Sequence, residues 1–366
     1  MLFLHTKRAF VGSTGRLSSI IDWERTRTNH PVSSQVTEIE VHIFALQLVH
    51  QRTIVLLTGR QGSILAKEQR THRLLHGKCL FAQLQSFVSC IAVISIDQVM
   101  HGARLESGSE LTLFFNFQNP LSAQTNVMQA AIDDFQLLRL VEDLTVRHEE
   151  TGELLARFDA DKINFFGHSQ GSNTGVPFVA LEPKIKGAVF SGAGGLLFLS
   201  LLTKTEPYDI TAILALLIRE KPLDRFNPIL SILQAYFEPA DSAAYGPLLV
   251  KKPAPGNGPK NVYQLLGWTD RFTPPVTIEA LATAIGVDMA GPAIESIEGL
   301  ELSGKSEIET PIQNNAGEVT AVVSQFNEAS GSDGHFVAFD IDGARTQSIM
   351  FIKTLVETGT ATVVTP

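Results

Sequence analysis

Short apolar runs rich in β-branched and aromatic residues recur along the chain, and turn-forming residues bound each of them. Such runs are typical of buried parallel strands. Six segments fit this description: 53–59, 91–97, 162–168, 186–192, 261–267 and 318–326. Helical patterns separate them, most clearly over 124–147, where apolar residues recur every three or four positions. This alternation predicts an α/β fold with a mostly parallel central sheet and helices on both faces.

One long segment interrupts the alternation. Residues 195–250 are leucine-rich and helical in pattern, and the Pro/Gly/Lys segment 251–260 predicts an exposed loop back to the sheet. We therefore predict an extension over 1–50 and one domain over 51–366, with a helical cap insertion at 195–255. The apolar positions of the cap fit either a pocket for an acyl chain or ordinary packing of helices against the sheet.

Composition narrows the classes of function. Of the 366 residues, 44% are hydrophobic and 18% charged, which excludes intrinsic disorder. The net charge of −9 argues against a nucleic-acid partner, which would need a basic surface. Two cysteines cannot form a disulfide framework, so burial of apolar residues must stabilise the fold. The sequence also contains no pattern of metal ligands, and we expect neither a metal nor a cofactor.

The most informative motif is Gly167-His168-Ser169-Gln170-Gly171, which follows a predicted strand and precedes a helix-compatible segment. It matches G-x-S-x-G, in which serine occupies a tight turn between a strand and a helix. The glycines leave room for neighbouring backbone, and the helix N-terminus favours developing negative charge on its free N–H groups. The motif predicts a nucleophilic serine at position 169. The alternative is a structural turn built from small residues.

A nucleophilic serine needs a base and an orienting acid, which follow it along the chain in this kind of site. Asp270 lies just beyond the fifth predicted strand, and His335 lies in a Gly/Ser-rich loop after the sixth. Asp333 and Asp340 are rival acids, but they are too close in sequence to His335 to reach its far ring nitrogen easily. The alternatives are a turn-forming aspartate before two prolines and a histidine of a surface loop.

With these motifs the chain resembles the α/β-hydrolase superfamily, and within it the bacterial lipase- and esterase-like hydrolases. The segments that carry the resemblance are SIDQVMHGAR (95–104), FFNFQNPLSAQTNVMQAAIDDFQLLR (114–139), FGHSQGS (166–172), LLGWTDRFTPP (265–275) and GHFVAFD (334–340). The resemblance implies Ser169 as nucleophile, His335 as general base and acid, and Asp270 as the residue that orients His335. It also implies acyl transfer from an ester to Ser169, followed by hydrolysis with water.

The expected substrate is a small-molecule carboxylic ester or lipid. Alternatives on the same residues are thioester or amide hydrolysis and acyl transfer, and a different class is a catalytically silent binding protein. The silent alternative is motivated by the expected oxyanion hole. One donor is the backbone N–H of Gln170, but the second would be Arg60 or Gln61, in a loop where Thr58-Gly59 replaces the His-Gly typical of relatives.

Two histidines are candidates for contacts with the substrate. His168 occupies the serine motif itself, and His101 lies in the loop after the strand at 91–97. His101 fits either the lining of the acyl or leaving-group pocket, or a loop that packs over the edge of the sheet.

The first 80 residues differ from the rest. They hold 11 basic and 5 acidic residues, which leaves 18 basic and 33 acidic residues in the remainder. A basic arm for an acidic partner, a solvated extension and an atypical N-terminus all fit this asymmetry. Because the basic residues are scattered and the family-like segments fade here, we favour an atypical N-terminus.

No export or membrane signal is visible. The opening MLFLHTKRAF places its apolar residues before its charges, unlike a secretory signal. The uncharged stretch 79–96 contains two glutamines and three serines, and we interpret it as a helix end that runs into a buried strand. We expect no integral membrane segment. The sequence as given favours the cytoplasm, although the resemblance to exported hydrolases leaves localisation open.

Overall fold

The structure is a computed structural model that describes residues 91–366, apart from 106, 117–118, 149–150, 152–153 and 220–222. Of residues 1–90 it describes only four strand segments. The strands are β1 (Ala9–Val11), β2 (Leu17–Ser19), β3 (His42–Phe44), β4 (Arg52–Thr58), β5 (Ile91–Ile96), β6 (Thr145–His148), β7 (Leu154–His168), β8 (Ile185–Ser191), β9 (Asn261–Gly267), β10 (Asp288–Ala290), β11 (Glu307–Ile308) and β12 (Ala321–Phe326).

The helices pack around this sheet. They are α1 (Glu110–Phe114), α2 (Pro120–Asp143), α3 (Gln170–Leu181), α4 (Leu197–Thr203), α5 (Ile210–Ile218), α6 (Pro228–Phe237), α7 (Ser242–Leu249), α8 (Pro275–Ile285), α9 (Glu298–Leu302), α10 (Val337–Asp340) and α11 (Asp342–Thr358). Short 3₁₀ turns cover Gly102–Arg104, Glu238–Ala240 and Gly334–Phe336.

The main sheet runs in the order β11-β10-β12-β9-β8-β7-β4-β5-β3. Its pairs are parallel except for β3, which runs antiparallel to β5. The strand that precedes the serine motif, β7, lies in the middle of this order. The expected fold class, α/β with a mostly parallel central sheet and helices on both faces, is confirmed.

All six predicted strands are present, and with one exception their ends agree within three residues. The exception is β7, which begins at Leu154 because its first part pairs antiparallel with β6 outside the central sheet. The helix predicted over 124–147 instead spans Pro120–Asp143. It begins earlier because the Asn119 side chain accepts a hydrogen bond from the Ser122 N–H, and it ends earlier because the chain then turns into β6.

The two faces of the sheet bury alternate residues of each strand. On β7, Phe165 belongs to the core beneath α2, α3 and α8, whereas Phe166 belongs to the core beneath α11. Both faces of the central strands are therefore covered, as their continuous apolar runs indicate.

The insertion between β8 and β9 contains helices α4 to α7. Asp241 fixes its beginning to its end, because its buried carboxylate accepts hydrogen bonds from the N–H groups of Leu196 and Leu197 and also caps α7. Among the described helices, none is long and apolar enough to cross a membrane. Residues 79–90 lie outside the described part of the chain, and the predicted domain boundaries stay predictions.

Candidate active site

Ser169 lies at the junction of β7 and α3 in a backbone conformation that non-glycine residues rarely adopt. Its φ is 56° and its ψ is −127°. Its N–H donates to the carbonyl of Ser191 at the end of β8, at 2.8 Å. Gly167 makes the turn possible, since a Cβ at this position would lie 2.7 Å from the Cα of Ser172. The local geometry is therefore that of a strand–turn–helix elbow with serine at its apex.

Asp270 and His335 come together from the loops after β9 and β12. His335 Nδ1 lies 2.8 Å from Asp270 Oδ2, and both residues are buried. Asp270 Oδ1 accepts from the N–H groups of Phe272 at 2.8 Å and Thr273 at 2.7 Å. Because an ionised carboxylate only accepts hydrogen bonds, Nδ1 of His335 carries the proton and Nε2 is left as a base.

The two rival acids occupy supporting positions. Asp333 accepts from the backbone N–H of His335 at 2.9 Å and forms an ion pair with Arg271 at 2.7 Å. Asp340 accepts from the Ser332 hydroxyl at 2.5 Å. Asp333 thus holds the loop that carries His335, while Asp270 binds its ring.

Two aromatic rings pack against the ring of His335. Phe272 stacks on it with centroids 4.9 Å apart, and His168 lies against it at 4.7 Å. Gly192, with φ of +57°, follows β8 and lets the backbone approach, since a Cβ there would be 2.9 Å from His335 Cε1. The ring of His335 is therefore fixed by packing as well as by Asp270.

The described contacts of His168 are with neighbouring side chains. Its Nδ1 lies 3.0 Å from Ser191 Oγ, and its ring meets the edge of Phe339 at 4.7 Å. Burial, and next the charge of His335, lower the pKa of His168 well below its ordinary value, so this ring is neutral at neutral pH. Its expected contact with substrate stays a prediction.

The Ser169 hydroxyl makes no hydrogen bond to any described residue, His335 included. Bonds between a nucleophile and its base are often long before substrate binds, so this geometry is compatible with a triad. The Asp270–His335 pair lies beside the elbow. The carbonyl of Ser191 binds the Ser169 N–H, and the next residue, Gly192, lies against His335.

One expected oxyanion donor lies in the described part of the chain. The N–H of Gln170 is at the first position of α3, and no described group accepts from it. Arg60 and Gln61 lie outside the described residues. The strand before them, β4, pairs with β7 so that Thr58 lies opposite Gly167.

His101 is buried in the loop after β5. Its Nδ1 lies 2.8 Å from the carbonyl of Val99, and its Nε2 lies 3.3 Å from Nε2 of Gln170. The ring also meets the edge of Phe114 at 5.4 Å. These contacts tie the loop to the elbow, and contact of His101 with a substrate stays a prediction.

Several neighbours of the site are not predicted from the sequence. Gln98, Thr174, Ser191 and Phe272 each contact a predicted site residue, and Gln98 and Phe272 lie within segments that carry the resemblance without being candidates themselves. A position at the end of a predicted strand was the available signal for Gln98 and Ser191. Within the described chain, no cluster of three or more His, Cys, Asp or Glu residues is arranged to hold a metal ion.

Comparison with known proteins finds solved structures that resemble this one, but no sequence that matches it. No family model matches the chain, and no curated protein does. Acetyl xylan esterase 1 from Thermoanaerobacterium is 11% identical, with a TM-score of 0.46 over 90% of this chain and 83% of that one.

Two further structures are similar to a comparable degree. A glucuronoyl esterase from Teredinibacter turnerae is 14% identical, with a TM-score of 0.46 over 86% of this chain and 69% of that one. A monoacylglycerol lipase from Paleococcus ferrophilus is 15% identical, with a TM-score of 0.42 over 87% and 98%. None of these similarities is high enough to assign an activity to this chain.

Proposed function

We propose that this chain, which has the α/β-hydrolase fold, is a serine hydrolase that cleaves carboxylic esters through an acyl-enzyme on Ser169. The observation that carries the proposal is the buried pair of His335 and Asp270, 2.8 Å apart, in the loops beside an elbow whose serine has a φ of 56°. Three residues from three strand ends in this arrangement match the requirements of nucleophilic catalysis.

In the proposed reaction, Nε2 of His335 takes the hydroxyl proton as Ser169 Oγ attacks the carbonyl carbon of the ester. The Gln170 N–H stabilises the oxyanion that forms. Collapse of this intermediate breaks the bond to the alcohol oxygen, and His335 returns the proton to the leaving alcohol. Water then repeats the sequence on the acyl-enzyme and releases the carboxylic acid. Asp270 holds His335 in the tautomer that can accept the proton.

The direct test is turnover of a p-nitrophenyl ester by the full chain. We expect Ser169→Ala to abolish hydrolysis, because the acyl-enzyme can no longer form. Ser303→Ala, the same change at an exposed serine after α9, is the matched control and should hydrolyse the ester like the unaltered protein. Ester turnover retained by Ser169→Ala would refute the proposal.

Other acyl transfers could use the same residues, so the substrate class needs its own test. Matched ester, thioester and amide substrates, and a competing alcohol acceptor, distinguish ester hydrolysis from thioester hydrolysis, amide hydrolysis and acyl transfer. We expect the highest kcat/KM for the ester, with water as the acceptor.

A second candidate is a catalytically silent binding protein on this fold. It is favoured by the absence of a hydrogen bond from the Ser169 hydroxyl to any described residue. A fluorophosphonate probe separates the two, because it reacts only with an activated serine. Labelling of the unaltered protein supports the hydrolase, and an unlabelled, folded protein supports the silent alternative.

A further inference from the structure

Four side chains around the elbow form a hydrogen-bonded network that closes on itself. Gln170 Nε2 donates to Gln98 Oε1 at 2.8 Å, and Gln98 Nε2 donates to Thr174 Oγ1 at 2.6 Å. The Thr174 hydroxyl in turn donates to the carbonyl of Gln170 at 3.1 Å. The path therefore begins at the side chain of Gln170 and returns to the backbone of the same residue.

His101 completes the network. The carbonyl of Val99 can only accept, so Nδ1 of His101 carries its proton and Nε2 is an acceptor. The second proton of the Gln170 amide then points to His101 Nε2, at 3.3 Å. The Gln170 amide and the Thr174 hydroxyl have acceptors, one N–H of Gln98 donates to Thr174, and Gln98, His101 and Thr174 are buried. Hydrogen bonds between buried side chains are stronger than those in water and restrict the groups that they join.

The circuit acts on the residue that provides the expected oxyanion donor. The circuit holds both the side chain and the carbonyl of Gln170, and so it restricts the backbone that carries the N–H of this residue. A donor that is already aimed at the developing charge stabilises the transition state without reorganisation during the reaction. The free-energy cost of orienting this N–H therefore arises during folding, when the loop after β5 packs onto α3.

We propose that Gln98 and Thr174, with His101 beside them, are positioning residues that aim the Gln170 N–H at the oxyanion. This inference rests on the proposed function. It differs from a role in substrate binding, because the network touches the donor residue and would leave ground-state affinity unchanged.

The test compares Thr174→Val with Thr354→Val in the full chain. Both threonines lie in helices, return a hydrogen bond to the carbonyl four residues earlier and accept one further N–H, but Thr354 lies on α11 away from the elbow. We expect Thr174→Val to lower kcat for a p-nitrophenyl ester about tenfold with KM within about twofold, because a displaced donor weakens only the transition state. Thr354→Val should keep the kcat of the unaltered protein.

Two further variants separate positioning from general damage. Thr174→Ser keeps the hydroxyl and should recover most of the lost kcat, and Gln98→Met, which keeps the length but not the hydrogen bonds, should reproduce the loss. Affinity for a trifluoromethyl ketone, which forms a tetrahedral adduct, should fall in proportion to kcat/KM. Melting curves show which variants fold. If Thr174→Val does not fold, Gln98→Met is the variant that tests the inference.

The outcomes distinguish this inference from the proposed function. If the unaltered protein hydrolyses the ester and Thr174→Val matches Thr354→Val, the inference is overturned and the proposed function stands. A rise in KM at constant kcat also overturns it, since that pattern belongs to substrate binding. If the unaltered protein neither hydrolyses esters nor reacts with a fluorophosphonate, the proposed function fails, and the inference fails with it.

Discussion

Replacing Asp270 by asparagine should trap His335 in the wrong tautomer. Oδ1 of Asp270 accepts from the N–H groups of Phe272 and Thr273, so the single carbonyl oxygen of asparagine is held there. The amide NH₂ must then occupy the position of Oδ2, 2.8 Å from Nδ1 of His335. Two donors cannot face each other, and Nδ1 becomes the acceptor. The proton moves to Nε2, the atom that must accept the proton of Ser169.

The magnitude follows from the loss of the base. In a Ser-His-Asp triad the equivalent change lowers kcat by about 10⁴, or about 5.5 kcal/mol of transition-state stabilisation. The free energy of unfolding should change little, because the hydrogen bonds to Phe272, Thr273 and His335 are all kept. Only the bond to His335 exchanges its donor and acceptor. The assay is kcat for a p-nitrophenyl ester at neutral pH, beside a melting curve.

Asp333→Asn provides the comparison, since Asp333 binds the backbone of His335 and the side chain of Arg271 rather than the imidazole ring of His335. It should cost far less activity than Asp270→Asn. The reasoning would be refuted if Asp270→Asn stayed within tenfold of the unaltered protein, or if both variants lost activity equally.

Two further predictions concern buried groups. Burial raises the pKa of Asp134 well above its ordinary value, and neither carboxyl oxygen has a hydrogen-bond partner among the described residues, so the folded carboxyl keeps its proton to higher pH than the unfolded one, which ionises near pH 4. This group therefore lowers the stability of the fold as pH rises above 4. Asp134→Leu should raise the free energy of unfolding by about 1–3 kcal/mol at pH 7, and by less at pH 4. An unchanged melting temperature at pH 7 would contradict this. His168→Phe should lower kcat about tenfold at constant KM, whereas raised KM at constant kcat would support substrate contact.

Much of the fold could be predicted because the central strands are buried on both faces. Their short apolar runs between turn residues fit buried strands, and Asp270 and His335 lie in the loops that follow β9 and β12. The short strands β10 and β11, at one end of the sheet, are not predicted, since three and two residues carry no pattern. The end of α2 was placed too late, because the pairing that converts 145–148 into a strand comes from β7.

The site was predictable only as far as strand ends reveal it. Asp270 is preferred to Asp333 because a residue so near His335 in sequence cannot easily reach the far nitrogen of its ring. The structure places Asp270 at the ring of His335. Nothing in the sequence relates Gln98 to Thr174, because their hydrogen bond joins residues 76 positions apart. Contacts of this kind depend on how the loops pack above the sheet.

An acyl-enzyme on Ser169 can be trapped during turnover and located in the sequence. The full chain is mixed with p-nitrophenyl acetate, quenched in acid during turnover and digested, and the peptides are analysed by mass spectrometry. The account predicts one acetylated peptide, with the acetyl group on Ser169, and its absence from Ser169→Ala. Acetylation at another residue that accounts for turnover, or turnover without any covalent adduct on Ser169, would contradict it.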